Sequence, residues 1–347
     1  MATPSEKLAE SLEALKKLQD GGTAAIRSRD LSRTHRERLM KNGFLQEVIK
    51  GWYVPSRPDE TSGESTSWYA CFWDFCASYL ESRFGQDWCL SPEQTLALLT
   101  GNMTVPGQLL VRTKKDTNNV TSLPHQTSLL DIRADLPSKA DTDTKNGLRL
   151  FALPAALIGY APASYRKNPT DLRAALAMVG DASEILERLL EGGHSTIAGR
   201  LAGAFRNIGR DDIADTIVET MRAAGYTIRE NDPFETPSPI RFAKREPSPY
   251  VGRMNLMWQN MRDCVLEEFP QAPGVPQDKE AYVKRIEELY SSDAYHSLSI
   301  EGYRVSLELI ERVRSGNWTP DANEEDGNHR DAMAARGYWQ AFQSVQA

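Results

Sequence analysis

The sequence predicts a mainly α-helical chain with a smaller β content, an α+β protein of more than one domain. Three observations carry this. Apolar residues recur at helical spacing through most of the chain, beginning with Leu8, Leu12, Leu15 and Leu18. Strand-like runs are short, Gln108–Arg112 and Ser128–Ile132 being the clearest. The length of 347 residues exceeds one ordinary domain.

Taken in order, residues 6–20 form a helix that Gly21-Gly22 ends. A short helical segment, Ala24–Leu31, follows. Thr34-His35-Arg36-Glu37 has capping-box spacing, so a third helix starts at Thr34, runs to Asn42 and stops at Gly43. Phe44–Val48 and Trp52–Val54 flank Lys50-Gly51 and read as a hairpin. Three helices and a hairpin over residues 1–58 are the order of a winged helix-turn-helix. The polar stretch Pro55–Ser67 is a boundary. Beyond it Trp68–Leu80 is a strongly apolar helix whose aromatics build a core. Helical runs at Leu172–Val179, Ala182–Leu190, Thr196–Ile208 and Ile213–Ala224 complete a mixed α/β and helical domain over residues 66–230. Gly192-Gly193-His194-Ser195-Thr196 lacks the lysine of a phosphate loop; its glycines end one helix before Ser195 or Thr196 caps the next. Residues 231–250 hold Pro233, Pro237, Pro239, Pro247 and Pro249, the composition of an extended linker. Residues 251–347 are helical again, at Met254–Phe269, Tyr282–Tyr290, Ser306–Arg314 and Arg330–Val345.

Composition excludes several classes of function. Forty per cent hydrophobic and 26% charged residues are ordinary for a soluble globular chain. A net charge of −7 argues against polyanion binding by the whole molecule. No apolar leader and no membrane-length apolar run occur, so no membrane partner is expected. Cys71, Cys76, Cys89 and Cys264 form no Cys-x-x-Cys pair and read as buried free thiols in a reducing cytoplasm, which is the expected location. The histidines form no metal-ligand pattern, and no catalytic zinc or other metal site is expected.

The charge balance reverses locally. Between Thr23 and Arg57 eight basic residues face three acids, a net +5. Such a reversal is what phosphate neutralisation needs. With the third helix as a recognition helix, the DNA contacts are Arg33, His35, Arg36, Arg38 and Lys41, with Lys50 at the wing tip reaching phosphate. A solvated basic helix in a protein-binding winged helix is the other reading. Leu39–Leu45 together with Lys50-Gly51-Trp52-Tyr53-Val54-Pro55 resembles the winged-helix front of AbiEi-type abortive-infection antitoxins. The likeness extends through Ser91-Pro92-Glu93, Gly147–Leu150 and Asn168–Leu172 to about residue 230. It implies a DNA-binding autorepressor with an antitoxin-like second domain.

A second motif lies near the other end. Ser297-Leu298-Ser299-Ile300-Glu301-Gly302 fits Ser/Thr-x-x-x-Glu-Gly/Asn and resembles the inhibitory helix of the Fic (filamentation-induced-by-cAMP) family of AMP-transferring proteins. Tyr282–Tyr290 and Gly337–Phe342 are similar to the helices that lead into a Fic core. The resemblance implies that Glu301 pairs with a core arginine and occupies the ATP γ-phosphate position, with Ser297 as a small polar anchor and Gly302 letting the chain turn. Tyr303 stands where the family favours Asn. The His-x-Phe-x-Asp/Glu-Gly-Asn core does not occur in the sequence: beside Asp326-Gly327-Asn328 the base position is Ala322 and the Phe position is Glu324. That stretch reads as a solvated linker, and no catalytic residue is assigned. The chain alone therefore implies no bound cofactor; ATP and magnesium belong to a Fic core acting as partner in cis or in trans. The expected function is a regulatory, antitoxin-like protein. Two alternatives stay open: a shortened or split AMP-transferase, and a plain transcriptional regulator whose residues 282–347 mediate oligomers. A second copy of the chain is a further open partner.

Overall fold

The computed structural model describes residues 3–59, 64–115, 118–272, 274–318 and 329–346. Among the described residues the chain is mainly α with some β, 55% helix and 12% strand in small sheets. It divides into two compact units, Met1–Glu267 and Glu268–Ala347.

The first unit begins with α1 (Pro4–Asp20), opened by a capping box. The Thr3 hydroxyl accepts from the Glu6 amide at 3.2 Å, and the Glu6 carboxylate accepts from the Thr3 amide at 2.7 Å. β1 (Ile26–Arg27), α2 (Arg33–Lys41), β2 (Leu45–Ile49) and β3 (Trp52–Pro55) follow. The three strands form an antiparallel sheet ordered β1-β3-β2. Leu15, Ile26, Leu31, Leu39, Leu45 and Tyr53 form its core.

Two sequence expectations are corrected here. Ala24–Leu31 contributes a strand and a turn rather than a helix. Ile26 is fully buried opposite Tyr53, and the Asp30 carboxylate accepts from the Arg27 amide at 2.7 Å, which bends the chain. The N-cap of α2 is Ser32, not Thr34. The Ser32 hydroxyl accepts from the His35 amide at 3.3 Å, and Glu37 turns instead to Arg33 at 2.6 Å. Gly43, at φ +76°, ends the helix as expected.

α3 (Thr66–Phe84) lays its aromatics into a core, as its sequence suggested. Trp68, Phe72 and Phe75 are buried, with Trp68 edge-on to Phe72 at 5.5 Å and to Phe75 at 5.3 Å. The Trp68 indole N–H is not orphaned: it donates to Thr127 Oγ1 at 3.1 Å. β4 (Trp88–Leu90), α4 (Pro92–Leu99), β5 (Gln108–Thr113), β6 (Asn119–Ser122), β7 (Ser128–Arg133), β8 (Thr142–Lys145) and β9 (Leu148–Phe151) follow. The four-stranded sheet runs β4-β5-β7-β6, with β5 and β7 parallel and the outer pairs antiparallel; β8 and β9 form a separate hairpin.

Six helices complete this region: α5 (Leu153–Gly159), α6 (Ser164–Lys167), α7 (Pro169–Met178), α8 (Ser183–Glu191), α9 (Ser195–Asn207) and α10 (Asp211–Ala223). The Pro-rich stretch 231–250 has no regular structure over most of its length, but it is not a linker. Ile228 and Phe234 are buried in the helical core together with Phe242, and Ile240 packs against it. The buried Arg173 donates to the Thr236 carbonyl. Gly199 and Gly203 on α9 make room for the crossing. A Cβ at either would come within 2.1 Å of the Arg229 carbonyl oxygen or 2.2 Å of that of Asn231. The stretch is a strap, fixed extended by its prolines and anchored by its apolar residues.

α11 (Pro249–Glu268) leaves the strap and stays with the first unit, so the boundary lies near residue 267 rather than 250. Leu256 is buried in the helical core, and Arg253 pairs with Asp171 at 2.8 Å. Cys71, Cys76 and Cys89 are buried thiols outside any disulfide, and burial pushes the Cys89 thiol pKa up to about 12; Cys264, on α11, is exposed, which corrects its expected burial.

The second unit holds α12 (Lys279–Ile300), α13 (Leu307–Arg314) and α14 (His329–Gln346). Its core is small. Tyr290, Ala294 and Ile310 are buried beside Trp339 and Phe342, and Leu298, Val313 and Ala335 form a second cluster. Asp326-Gly327-Asn328 lies outside the described residues. Among the described residues no helix is long and apolar enough to cross a membrane.

Candidate functional site

Two sets of residues stand out, one in each unit. In the first, starting α2 at Ser32 sets which side chains face outward. Leu39 is fully buried, so the positions three and four residues before it share its inward face. His35 accordingly meets the Ser11 hydroxyl of α1 through Nδ1 at 2.9 Å. The Arg36 guanidinium donates to the Ser28 carbonyl and, at 2.6 Å, to that of Leu31, and lies 5.8 Å from the Tyr53 ring centre. Arg38 donates to the Lys7 carbonyl at 2.6 Å and to the Ser11 hydroxyl at 2.8 Å. These three expected DNA contacts thus hold α2 onto α1 and onto the loop before it.

What remains outside is narrower. Arg33, Thr34, Glu37 and Lys41 are exposed and follow one face of α2 at helical spacing. Arg33 is engaged with Glu37, which holds its guanidinium further toward the charged form. Lys50 is exposed in the β2–β3 turn, where Gly51 takes φ +84°. The Ser28 amide donates to the Gly51 carbonyl at 3.0 Å, so the exposed Arg29 stands beside that turn. Arg29 belongs to the basic segment but was not expected at the wing; the β1–β3 pairing that brings it there was hidden by the helical reading of residues 24–31.

In the second unit the inhibitory-type motif spans the end of α12. Leu298 points into the core. Ser297 is half-buried, its hydroxyl 3.3 Å from the Tyr338 hydroxyl, which donates to Asp293 at 2.6 Å. That bond to Asp293 raises the Tyr338 pKa, because a phenolate would repel the carboxylate. Glu301 is the C-cap residue, and Gly302 at φ +83° terminates the helix. The Tyr303 amide reaches the Leu298 carbonyl at 3.0 Å and the Gly302 amide that of Ser299 at 3.1 Å, a Schellman closure. Glu301 is exposed, and its carboxylate sits at the negative end of the helix dipole, where it is not stabilised. Ile300 beside it is 87% exposed.

No protein-family model matches this chain, and no curated protein matches it. Among solved structures, the RV2827C protein from Mycobacterium tuberculosis aligns with it at 14% identity and a TM-score of 0.38, over 72% of this chain and 94% of that one.

Proposed function

We propose that this chain is a DNA-binding regulatory protein whose contact surface is the outer face of α2 and the β2–β3 turn. One observation supports this most directly. Lys41, Lys50 and Arg29 project outward from a small helix-and-wing unit, in a chain whose overall charge is −7. Local positive charge on an acidic molecule serves a local polyanion, and α2 presents it on a face free of its own core. The chain's DNA would be the region upstream of its own gene, as autorepression requires. Changing Lys41 and Lys50 together to Ala is expected to weaken binding across all sequences and to lower the salt slope by about two units. A wild-type chain that fails to shift that DNA at low salt, or a double variant with an unchanged slope, removes the proposal.

The exposed end of α12 supports a second reading, in which Glu301 brakes a Fic core carried by another chain. The carboxylate is uncovered, its backbone is held by the Schellman closure, and its charge stands at the unfavourable end of the helix dipole. In this reading the chain transfers no AMP by itself, and Glu301→Gly raises transfer by the cognate core. An unchanged rate, with ATP still bound, assigns the motif to helix termination alone.

A further inference from the structure

α11 carries an apolar seam on its outer face. Val251, Met254, Trp258, Met261 and Val265 recur at intervals of three and four residues, the a and d positions of a heptad. They are 47%, 66%, 59%, 50% and 50% exposed. The helix's two buried residues, Gly252 and Leu256, lie on the opposite face, so the seam points away from the core that anchors α11. From Met261 to Glu268 every residue is exposed. Helical turns with no packing on any side are marginal on propensity alone, and an apolar seam in water adds to that cost.

We propose that a second copy of the chain covers this seam, α11 against α11, making the protein a homodimer; the inference is independent of the DNA reading. A three-four seam is complementary to itself, because each knob enters a hole formed by the same residues of the facing helix. The flanks permit the approach. Asn255, Met257 and Cys264 are uncharged, and Arg262 lies 3.5 Å from Asp263, so no row of like charges holds two copies apart. Five half-exposed apolar side chains on each copy can bury at most roughly 1,000 Å² in total, which reaches the lower bound of a specific interface.

Sedimentation of the full chain over a hundredfold concentration range tests this. The wild type is expected to pass from one chain to two, while Met254→Glu/Met261→Glu stays a single chain with unchanged circular dichroism. Val265→Glu, in the turn exposed on all sides, is the second variant should the first lose its fold, and it is expected to weaken the dimer at least tenfold. A spin label on Cys264, the exposed one of the four thiols, is expected to show dipolar coupling in the wild type that the variants lose. A wild type that remains a single chain throughout overturns the proposal, whether water or another part of the same chain covers the seam. A dimer that survives both variants overturns it as well.

Discussion

Guanidinium groups in this protein are used as cross-braces as often as surface charges. Arg210, 3% exposed, donates to the Val179 carbonyl at 3.0 Å, and the buried Arg173 stacks 4.5 Å from the centre of the Phe234 ring. Arg36 does the same in the winged unit, binding two carbonyls that no strand or helix satisfies. The sequence displays how many charges a helix carries but not where each is aimed. Leu39 was the available signal: as the one strongly apolar residue in the middle of α2 it marks the inward face, and positions three and four before it, Arg36 and His35, turn inward with it. Placing the cap at Thr34 hid this, since Ser32 and Thr34 are both good caps and only the loop before them decides between the two. Arg36→Ala is therefore expected to cost about 2 kcal/mol of stability, the loss of charge-assisted bonds to carbonyls left without partners. Lys41→Ala should stay within about 0.5 kcal/mol of wild type. Urea unfolding of the two variants makes the comparison; equal stabilities would show that Arg36 is a surface charge after all.

Elements with a strong period were legible, and the strap was not. α3 and α7 to α10 sit within a few residues of where apolar spacing places them, as do β5 and β7. Residues 227–248 have no period to read, because prolines remove the donors that make one. Their anchors, Ile228, Phe234, Ile240 and Phe242, are spread among charged and polar residues, and no helical or strand spacing joins them. The complementary signal was on α9, where Gly199 and Gly203 stand four apart on one face, a groove for a crossing backbone. Gly203→Ala would set a methyl 2.2 Å from the Asn231 carbonyl oxygen and 2.4 Å from its carbon, so the backbone of the strap must move. The expected cost is about 1–3 kcal/mol, with faster proteolysis between residues 227 and 248. Gly337→Ala, in α14 with nothing among the described residues within 4 Å of the added methyl, is the control and should be neutral or stabilising by about 1 kcal/mol. Similar losses from both changes would point to a general fragility rather than to the strap.

At the scale of the molecule the two units differ most in how much they bury. Among the described residues the first holds three apolar clusters, the largest drawn mainly from α5 to α11 and the strap, with Cys89, Leu96 and Phe151 joining it. The second holds two clusters of three buried residues each. Proline content put the division at residue 250, but a proline marks irregular backbone, whereas a domain ends where buried contacts end, and Leu256 carries those contacts past the last proline of the strap. Stability scales with apolar surface removed from water, so the second unit is expected to unfold first. Scanning calorimetry should show two transitions, with a calorimetric enthalpy above the van't Hoff value for either. Leu298→Ala, which empties part of the smaller unit's core, should move the lower transition and leave the upper one in place. Leu189→Ala, fully buried in the larger core, should do the reverse, each change costing about 2–5 kcal/mol in its own unit. A single transition displaced by either substitution would mean that the two units fold as one, and Glu301 would then report on the stability of the whole chain rather than standing at the end of an independent helical unit.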